Sequence, residues 1–486
     1  MVEAGRIQRG EDVQRHLRDV QALLARHRAV EELVRGQEMP RHAEVETLLH
    51  RQHVAELRKT LDVMHAADIA YILEALPPEE RLFVWDLVKA ERDGEILLEV
   101  SDAVRETLIE SMDPNELVAA AGALDADEIA DIAPDLPTEV IEDLFRSLEP
   151  EERTQLRAAL SYPEDSAGAL MDFDMVSVRE DVTLEVVLRY LRRFDELPDH
   201  TDQIFVVDRE EHLRGALPLN TLLVSDPETE VSAVMSTEVV RFQPGDKAET
   251  AAQAFERYDL VSAPVVDTQN RVLGRVTVDA VMDFIREESE SELLAQAGLR
   301  EEEDIFASVW DSLKNRWSWL AINLVTAFIA SRVIGAFESS IEKLVALAAL
   351  MPIVAGIGGN SGNQTITLIV RAMALGQMQA THARQLFRKE LGVALVNGVV
   401  WGGLLGLIAW WLYASAPLGA VMMLAMVLNL LLAATMGVGI PLARTRLGGD
   451  PAVGSSVMIT AVTDSGGFFI FLGLATLFQK MGWLAG

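Results

Sequence analysis

Beyond Trp317 the chain runs through five long apolar stretches in succession, near Trp317–Phe337, Leu344–Ala374, Leu391–Tyr413, Pro417–Leu442 and Ala452–Phe478. Each approaches or exceeds the ~20 mostly apolar residues that an α-helix needs to cross the hydrocarbon of a bilayer. The apolar core of a soluble helical domain is the alternative, but the flanking charges argue against it. With the N-terminal half in the cytosol, Lys314, Arg316, Arg371, Arg384, Arg388, Lys389, Arg444 and Arg446 fall at inner ends, against Arg332, Lys343 and Lys480 at outer ends. The positive-inside rule therefore predicts five spans in a cell (inner) membrane, with the N-terminus cytosolic and the C-terminus outside.

Charge divides the chain at the same place. The whole chain has a formal net charge of −33, and the 11 basic and 5 acidic side chains from Leu313 onward leave about −39 on residues 1–312. A surface that negative repels nucleic acid and attracts cations, divalent ones most strongly. No cysteine is present, so disulfides, thiolate nucleophiles and sulfur-based metal sites are excluded and oxygen ligands remain. Hard ions such as Mg²⁺ suit that inventory. The opening MVEAGRIQRGEDVQRHLRDV is polar and charged, unlike a secretory signal. No Ser-His-Asp arrangement, Walker loop or zinc signature is evident, so the chain does not read as an enzyme.

Two spans hold residues that lipid should exclude. In SSVMITAVTDSGGFF, Asp464 is the only acid deep inside any span, and an intramembrane carboxylate is costly unless it faces a partner or water. Ser456, Thr460 and Asp464 recur at i, i+4 and i+8, one stripe of a helix, which reads as a pore wall or, alternatively, a polar seam between helices. PIVAGIGGNSGNQTITLIVRA carries Pro352, Gly356, Gly359, Asn363 and Gln364. So much Gly and Pro predicts a loosened helix with carbonyls and amides facing a polar path, against the rival reading of close packing through small residues. Hydrated Mg²⁺ is recognised by such acceptors. One Asp per chain fits a two-fold axis, hence a homodimer with one shared pore.

In the acidic half, residues 11–160 have apolar positions at helical spacing, broken at Leu76-Pro77-Pro78-Glu79, Leu136-Pro137-Thr138-Glu139 and Leu148-Glu149-Pro150-Glu151. Glu at each helix start predicts stacked helical hairpins, a superhelical N-terminal domain over 1–160. Asp127 and Asp131, at i and i+4, repel each other unless a cation relieves them; a solvated acidic face is the plainer alternative. Residues 161–288 alternate short strands and helices twice, with copies near 171–234 and 235–288. Both copies resemble CBS motifs, together an α/β tandem pair. The second copy's Gly274-Arg275-Val276-Thr277-Val278-Asp279 matches the pattern in which Thr277 and Asp279 hold a nucleotide ribose; a purely structural pair is the alternative. Residues 289–315 read as a long acidic helix linking this pair to the membrane domain at 316–486, a mechanical link or a passive linker.

Taken in order, the helical domain, CBS pair, SYPEDSAGALM, linking helix and five spans resemble the MgtE magnesium channel and transporter family over nearly the whole chain. GGNSGNQ (358–364) and DPAV…TDSGGF (450–468) are the specific signatures. The resemblance implies a multidomain homodimer in membrane lipid, with a Mg²⁺-selective pore whose plug helix closes it when cytosolic Mg²⁺ is high. By motif, Asp464 is the pore carboxylate, with Gly356, Gly359 and Asn363 beside it; Ser456 stands where some members have Asn. Asp127, Asp131, Glu249, Asp259, Asp283, Glu288 and Glu292 match regulatory acids, whereas Ala280 and Ser291 stand where acids can occur and leave the number of regulatory ions open. ATP at the CBS pair is a further implication. Two other classes stay open at this point: a carrier coupled to protons or sodium through Asp464, and a nucleotide-sensing membrane receptor.

Overall fold

The computed structural model describes residues 13–26, 28, 53–299, 303–374, 380–447, 451 and 454–484. The chain forms two compact units, Met1–Glu288 with Asp304–Phe306, and Ser289–Glu303 with Ala307–Gly486.

The first unit opens with helices α1 (13–26) and α2 (53–61). There follow α3 (Ala66–Glu74), α4 (Pro78–Trp85), α5 (Asp93–Glu99), α6 (Asp102–Ser111), α7 (Pro114–Ala121), α8 (Ala126–Ile132), α9 (Thr138–Ser147) and α10 (Pro150–Ala159). The helical reading of residues 29–52 lies outside the described residues. The helices are short because each start is written into the chain. Pro occupies the first helical turn of α4, α7 and α10, where its missing N–H costs nothing. Glu116, Glu128 and Glu152 reach back to accept from the N–H groups of Asp113, Asp125 and Glu149 at 3.1, 3.0 and 2.9 Å.

Helix ends are satisfied by a device that the sequence reading missed. Five residues after the turn leucine or valine, an arginine folds back onto carbonyls left open at the preceding helix end. Arg81 donates to Leu73 O and Leu76 O at 2.8 and 3.1 Å, Arg105 to Leu97 O and Val100 O at 2.7 and 3.1 Å, and Arg153 to Leu148 O at 2.8 Å. One apolar core, including Ile69, Leu73, Ile96, Leu108, Ile129, Leu144 and Leu156, runs through the stack.

Two small sheets follow. One has β2 (Ser177–Arg179) parallel to β3 (Gln203–Val207), which pairs antiparallel with β4 (Leu213–Pro218); the other has the order β1 (Met171–Asp172), β6 (Val272–Thr277), β5 (Ser262–Val266). Helices α11 (Leu184–Leu191), α12 (Leu219–Val224), α13 (Val231–Val234) and α14 (Ala248–Tyr258) alternate with these strands. The repeat is physical as well as textual. Asp172 crosses β6 opposite Arg275 while Ser236 crosses β4 opposite Ala216. A Cβ on Gly274 would lie 2.6 Å from Asp172 O, and one on Gly215 would lie 2.4 Å from Ser236 O. Both copies therefore need glycine at the crossing.

The link differs from the single long helix expected over 289–315. Helix α15 (Val278–Ala297) begins inside the second repeat and stops at Gly298, whose φ of +83° is the left-handed conformation that ends helices. The next helix, α16 (Val309–Gly335), starts at Ser308, whose side chain accepts from Asp311 N–H. Residues 303–308 between them are non-helical.

The second unit contains α16, the short α17 (Glu338–Lys343), α18 (Ala346–Ala374), α19 (Ala380–Tyr413), α20 (Ala416–Arg446) and α21 (Ser455–Lys480). Among the described residues α16, α19, α20 and α21 are long and apolar enough to cross a membrane. Helix α18 is 29 residues long, but its GGNSGNQ segment makes it more polar. The expected start of the last span at Ala452, and Asp450 before it, lie outside the described residues. Helix α20 is the buried hub, packed by α18, α19 and α21. Exposed apolar side chains such as Leu324 and Phe328 on α16, and Val400, Leu407 and Trp411 on α19, face away from this core. Such a surface belongs against lipid or another apolar partner.

Candidate ion pathway and acidic cluster

Asp464 lies in the middle of α21, half-buried, with Thr460 exposed one turn before it and Ser456 half-buried two turns before it. The stripe is thus turned partly away from the unit's own core. None of the ion pairs described in this unit, Lys314 with Asp311, Arg316 with Glu303 and Lys389 with Glu390, involves Asp464. Beside α21 runs α18, where a Cβ on Gly359 would touch Thr463 Oγ1 at 3.6 Å. Gly359 is buried, Asn363 half-buried and Gly356 exposed with nothing near its Cβ position.

The loosening expected of α18 is absent: it is one continuous helix with Pro352 inside it. Gly358 and Gly362 serve close packing instead. A Cβ on Gly358 or Gly362 would strike Asn429 or Ile459, at 2.2 and 2.4 Å.

A second buried acid escaped the sequence reading because it sits at the edge of an apolar run. Glu390 of α19 is 5% exposed and accepts from Thr365 Oγ1 of α18 at 3.2 Å. Thr365 directly follows the GGNSGNQ motif.

In the first unit, distant acids converge. Asp127 sits in the first turn of α8 and Asp131 one turn later. Burial, and then the like charge of Asp172, push the Asp127 carboxyl up to about 8. The Asp131 carboxyl is raised to about 7 by desolvation and then by Glu287, with Asp283 contributing and Arg105 opposing. The Asp131 side chain is itself exposed, so water screens part of that penalty. Asp125, Glu128, Asp172, Asp283 and Glu287 are all raised, each first by desolvation. Asp172 is held by Arg275 at 2.7 Å, and Arg105 bonds Asp135 at 3.2 Å. The helical domain, β1 and α15 thus bring carboxylates near enough to repel one another, a repulsion that a divalent cation would relieve.

Of the other acids expected to regulate, Asp283 belongs to this cluster. Glu249 and Asp259 stand apart at the start and the C-cap of α14, both exposed, with Asp259 at φ +52°. Glu288 and Glu292 lie further along α15, Glu292 within the second unit. Asp172 and Glu287 were missed, since they meet α8 only through tertiary folding. At the second repeat, Thr277 is buried at the end of β6 and Asp279 is exposed, its carboxylate 3.6 Å from His200 Nε2. Asp202 accepts from Ser262 Oγ at 2.5 Å, and Ser262 pairs with Thr277 across the strands.

Comparison with known proteins bears on both regions. A family model described as the MgtE divalent cation transporter matches residues 351–474, one for the MgtE intracellular N domain matches 64–165, and one for the CBS domain matches 231–287. A magnesium transporter MgtE of Thermus thermophilus is 36% identical over 332 residues, covering 67% of this chain and 72% of that protein. This chain belongs to the MgtE family. The magnesium transporter MgtE of Enterococcus faecalis is 28% identical over 326 residues, again 67% of this chain and 72% of that one. A crystal structure of the cytosolic domain of the Mg²⁺ channel MgtE in complex with ATP shares 32% identity, with a TM-score of 0.45, over 49% of this chain and 98% of that one. The protein is a multidomain membrane protein in which the MgtE transporter match takes in α18 through most of α21, including Gly359, Asn363 and Asp464. Membership places it among transporters.

Proposed function

We infer that this MgtE protein carries Mg²⁺ across a cell membrane and that its acidic half senses the same ion. The observation that carries the reading is the α21 stripe: a half-buried carboxylate with hydroxyls below it, free of any described ion pair, beside the glycines of α18. Five spans, α16 and α18 to α21, form the membrane domain, with the N-terminus cytosolic and the C-terminus outside. Two copies meet at a two-fold axis where paired Asp464 side chains, with Asn363, Gly356, Gly359, Ser456 and Thr460, face an ion that keeps much of its water. No covalent chemistry is assigned.

Mg²⁺ at Asp127 and Asp131, joined by Asp172, Asp283 and Glu287, favours the closed arrangement by cancelling repulsion among these acids. Glu249, Asp259, Glu288 and Glu292 supply further regulatory contacts, and ATP, bound near Thr277 and Asp279, adjusts the response. Mg²⁺ influx into liposomes reconstituted with wild type and with Asp464→Ala tests the pathway. The expected result is a loss of roughly 100-fold or more in a variant that still folds, on the scale of removing an essential intramembrane charge; equal influx removes the assignment.

A further inference from the structure

The membrane unit buries one amide where hydrocarbon would cost less. Asn429 of α20 is 0% exposed, and its Nδ2 donates to Val354 O of α18 at 2.8 Å. Its Oδ1 has no hydrogen-bond partner among the described residues. A leucine of similar size would avoid that unmet acceptor, so packing alone does not account for an amide here. The surroundings suggest what it does. A Cβ on Gly358 would lie 2.2 Å from Asn429 Nδ2, and a Cβ on Gly467 would lie 2.8 Å from the same atom. One glycine is in α18, next to Gly359. The other is in α21, three residues after Asp464.

We propose that Asn429 is a positioning residue for transport: wedged between Gly358 and Gly467 and tied to the Val354 carbonyl, it sets the spacing and axial register of α18 against α21, and with them the distance of Gly359 and Asn363 from Asp464. The carbonyl of Val354 has a second lone pair, so the clip forms without breaking α18. A side chain that can slide in hydrocarbon is thereby replaced by one directional bond, made possible by two positions with no Cβ. The consequence for transport rests on the proposed Mg²⁺ conduction; the geometric claim does not.

Four variants test it, in purified full-length protein: Asn429→Leu, Asn429→Ala, Gly358→Ala and the double variant Asn429→Ala/Gly358→Ala. Two readouts are taken, Mg²⁺ influx with its Mg²⁺ to Ca²⁺ ratio, and the rate of disulfide formation between cysteines introduced at positions 359 and 463. The chain has no cysteine of its own, and a Cβ at residue 359 would lie 3.6 Å from Thr463 Oγ1, which puts a cysteine pair at these positions within reach. In folded Asn429→Leu, influx is expected to fall at least tenfold, the ion ratio to shift toward unity and cross-linking to slow severalfold. Gly358→Ala is expected to be at least as impaired, and the double variant to recover to within threefold of Asn429→Ala, because the truncated side chain makes room for the new methyl. If Gly358→Ala gives no folded protein, recovery of folding and cross-linking in the double variant supports the clip, and failure to recover overturns it. Wild-type influx, ion ratio and cross-linking in Asn429→Leu also overturn it. Absence of Mg²⁺ influx in wild type sinks the transport reading, and cross-linking then decides the geometry alone.

Discussion

The two units treat charge in opposite ways. In the first, burial and then neighbouring carboxylates raise the proton affinity of Asp125, Asp127, Glu128, Asp131, Asp172, Asp283 and Glu287, while in the second Asp464 occupies a long apolar helix with no described ion pair. Crowded carboxylates form a surface whose conformation depends on what neutralises them, which is the property of a sensor. An isolated carboxylate at membrane depth is retained only where it meets water or an ion, which is the property of a pathway. The same functional group thus acquires two roles from its surroundings.

Several outcomes would sharpen or break this contrast. The largest effect is expected at Arg81, which is 0% exposed and whose guanidinium joins two helix-end carbonyls to Asp304 at 2.6 Å. Arg81→Ala strands a buried carboxylate and should destabilise the first unit by about 3–5 kcal/mol, measured by denaturant unfolding. A loss below about 1 kcal/mol would mean that this unit does not depend on paired charge.

Protons come next. With Asp127 raised to about 8 and Asp131 to about 7, the folded state holds protons that the unfolded chain releases near 3.8. Their stabilisation is complete below that value and is lost as the pH rises through about 7 to 8. In a chelator, the thermal unfolding midpoint of the first unit should therefore drop by roughly 5 °C or more between pH 5 and pH 8. Millimolar Mg²⁺ should reduce that drop and slow proteolysis; an unchanged pH profile with Mg²⁺ would separate the cluster from metal sensing. Asp127→Asn with Asp131→Asn should flatten the profile without metal. The smallest effect is expected at the exposed Arg146, paired with Asp143 and Glu142 on one helix surface. Arg146→Ala should change stability by less than about 0.5 kcal/mol, since surface pairs contribute little.

Sequence reading succeeded where the signal is local. Apolar runs located α16 and α18 to α21, although α16 and α19 begin 8 and 11 residues before the predicted spans; the Leu-x-x-Glu turns, whose glutamates take the second helical position of α4, α9 and α10, marked short helices, and a lone aspartate in an apolar run marked the candidate pathway. Gly274 belongs to the second repeat's motif, and the structure adds the steric reason, a strand crossing there that recurs at Gly215. What was missed depends on distance along the chain. Asp172 and Glu287 join Asp127 and Asp131 only after β1 and α15 have folded against α8. Asn429 is one amide in an apolar helix, and its bond to Val354 spans 75 residues. The break after α15 was legible in principle, with Gly298 and Ser308 as stop and start signals, but the density of charge through the segment masked them.

The central claim is that Asp464 alone provides the charge through which Mg²⁺ passes. It is tested most directly by Mg²⁺ current across a planar bilayer, with proton and sodium concentrations equal on both sides, for wild type and Asp464→Asn. The account predicts a current in wild type that needs no second ion gradient and is abolished by the amide. A current of undiminished size through Asp464→Asn would contradict it.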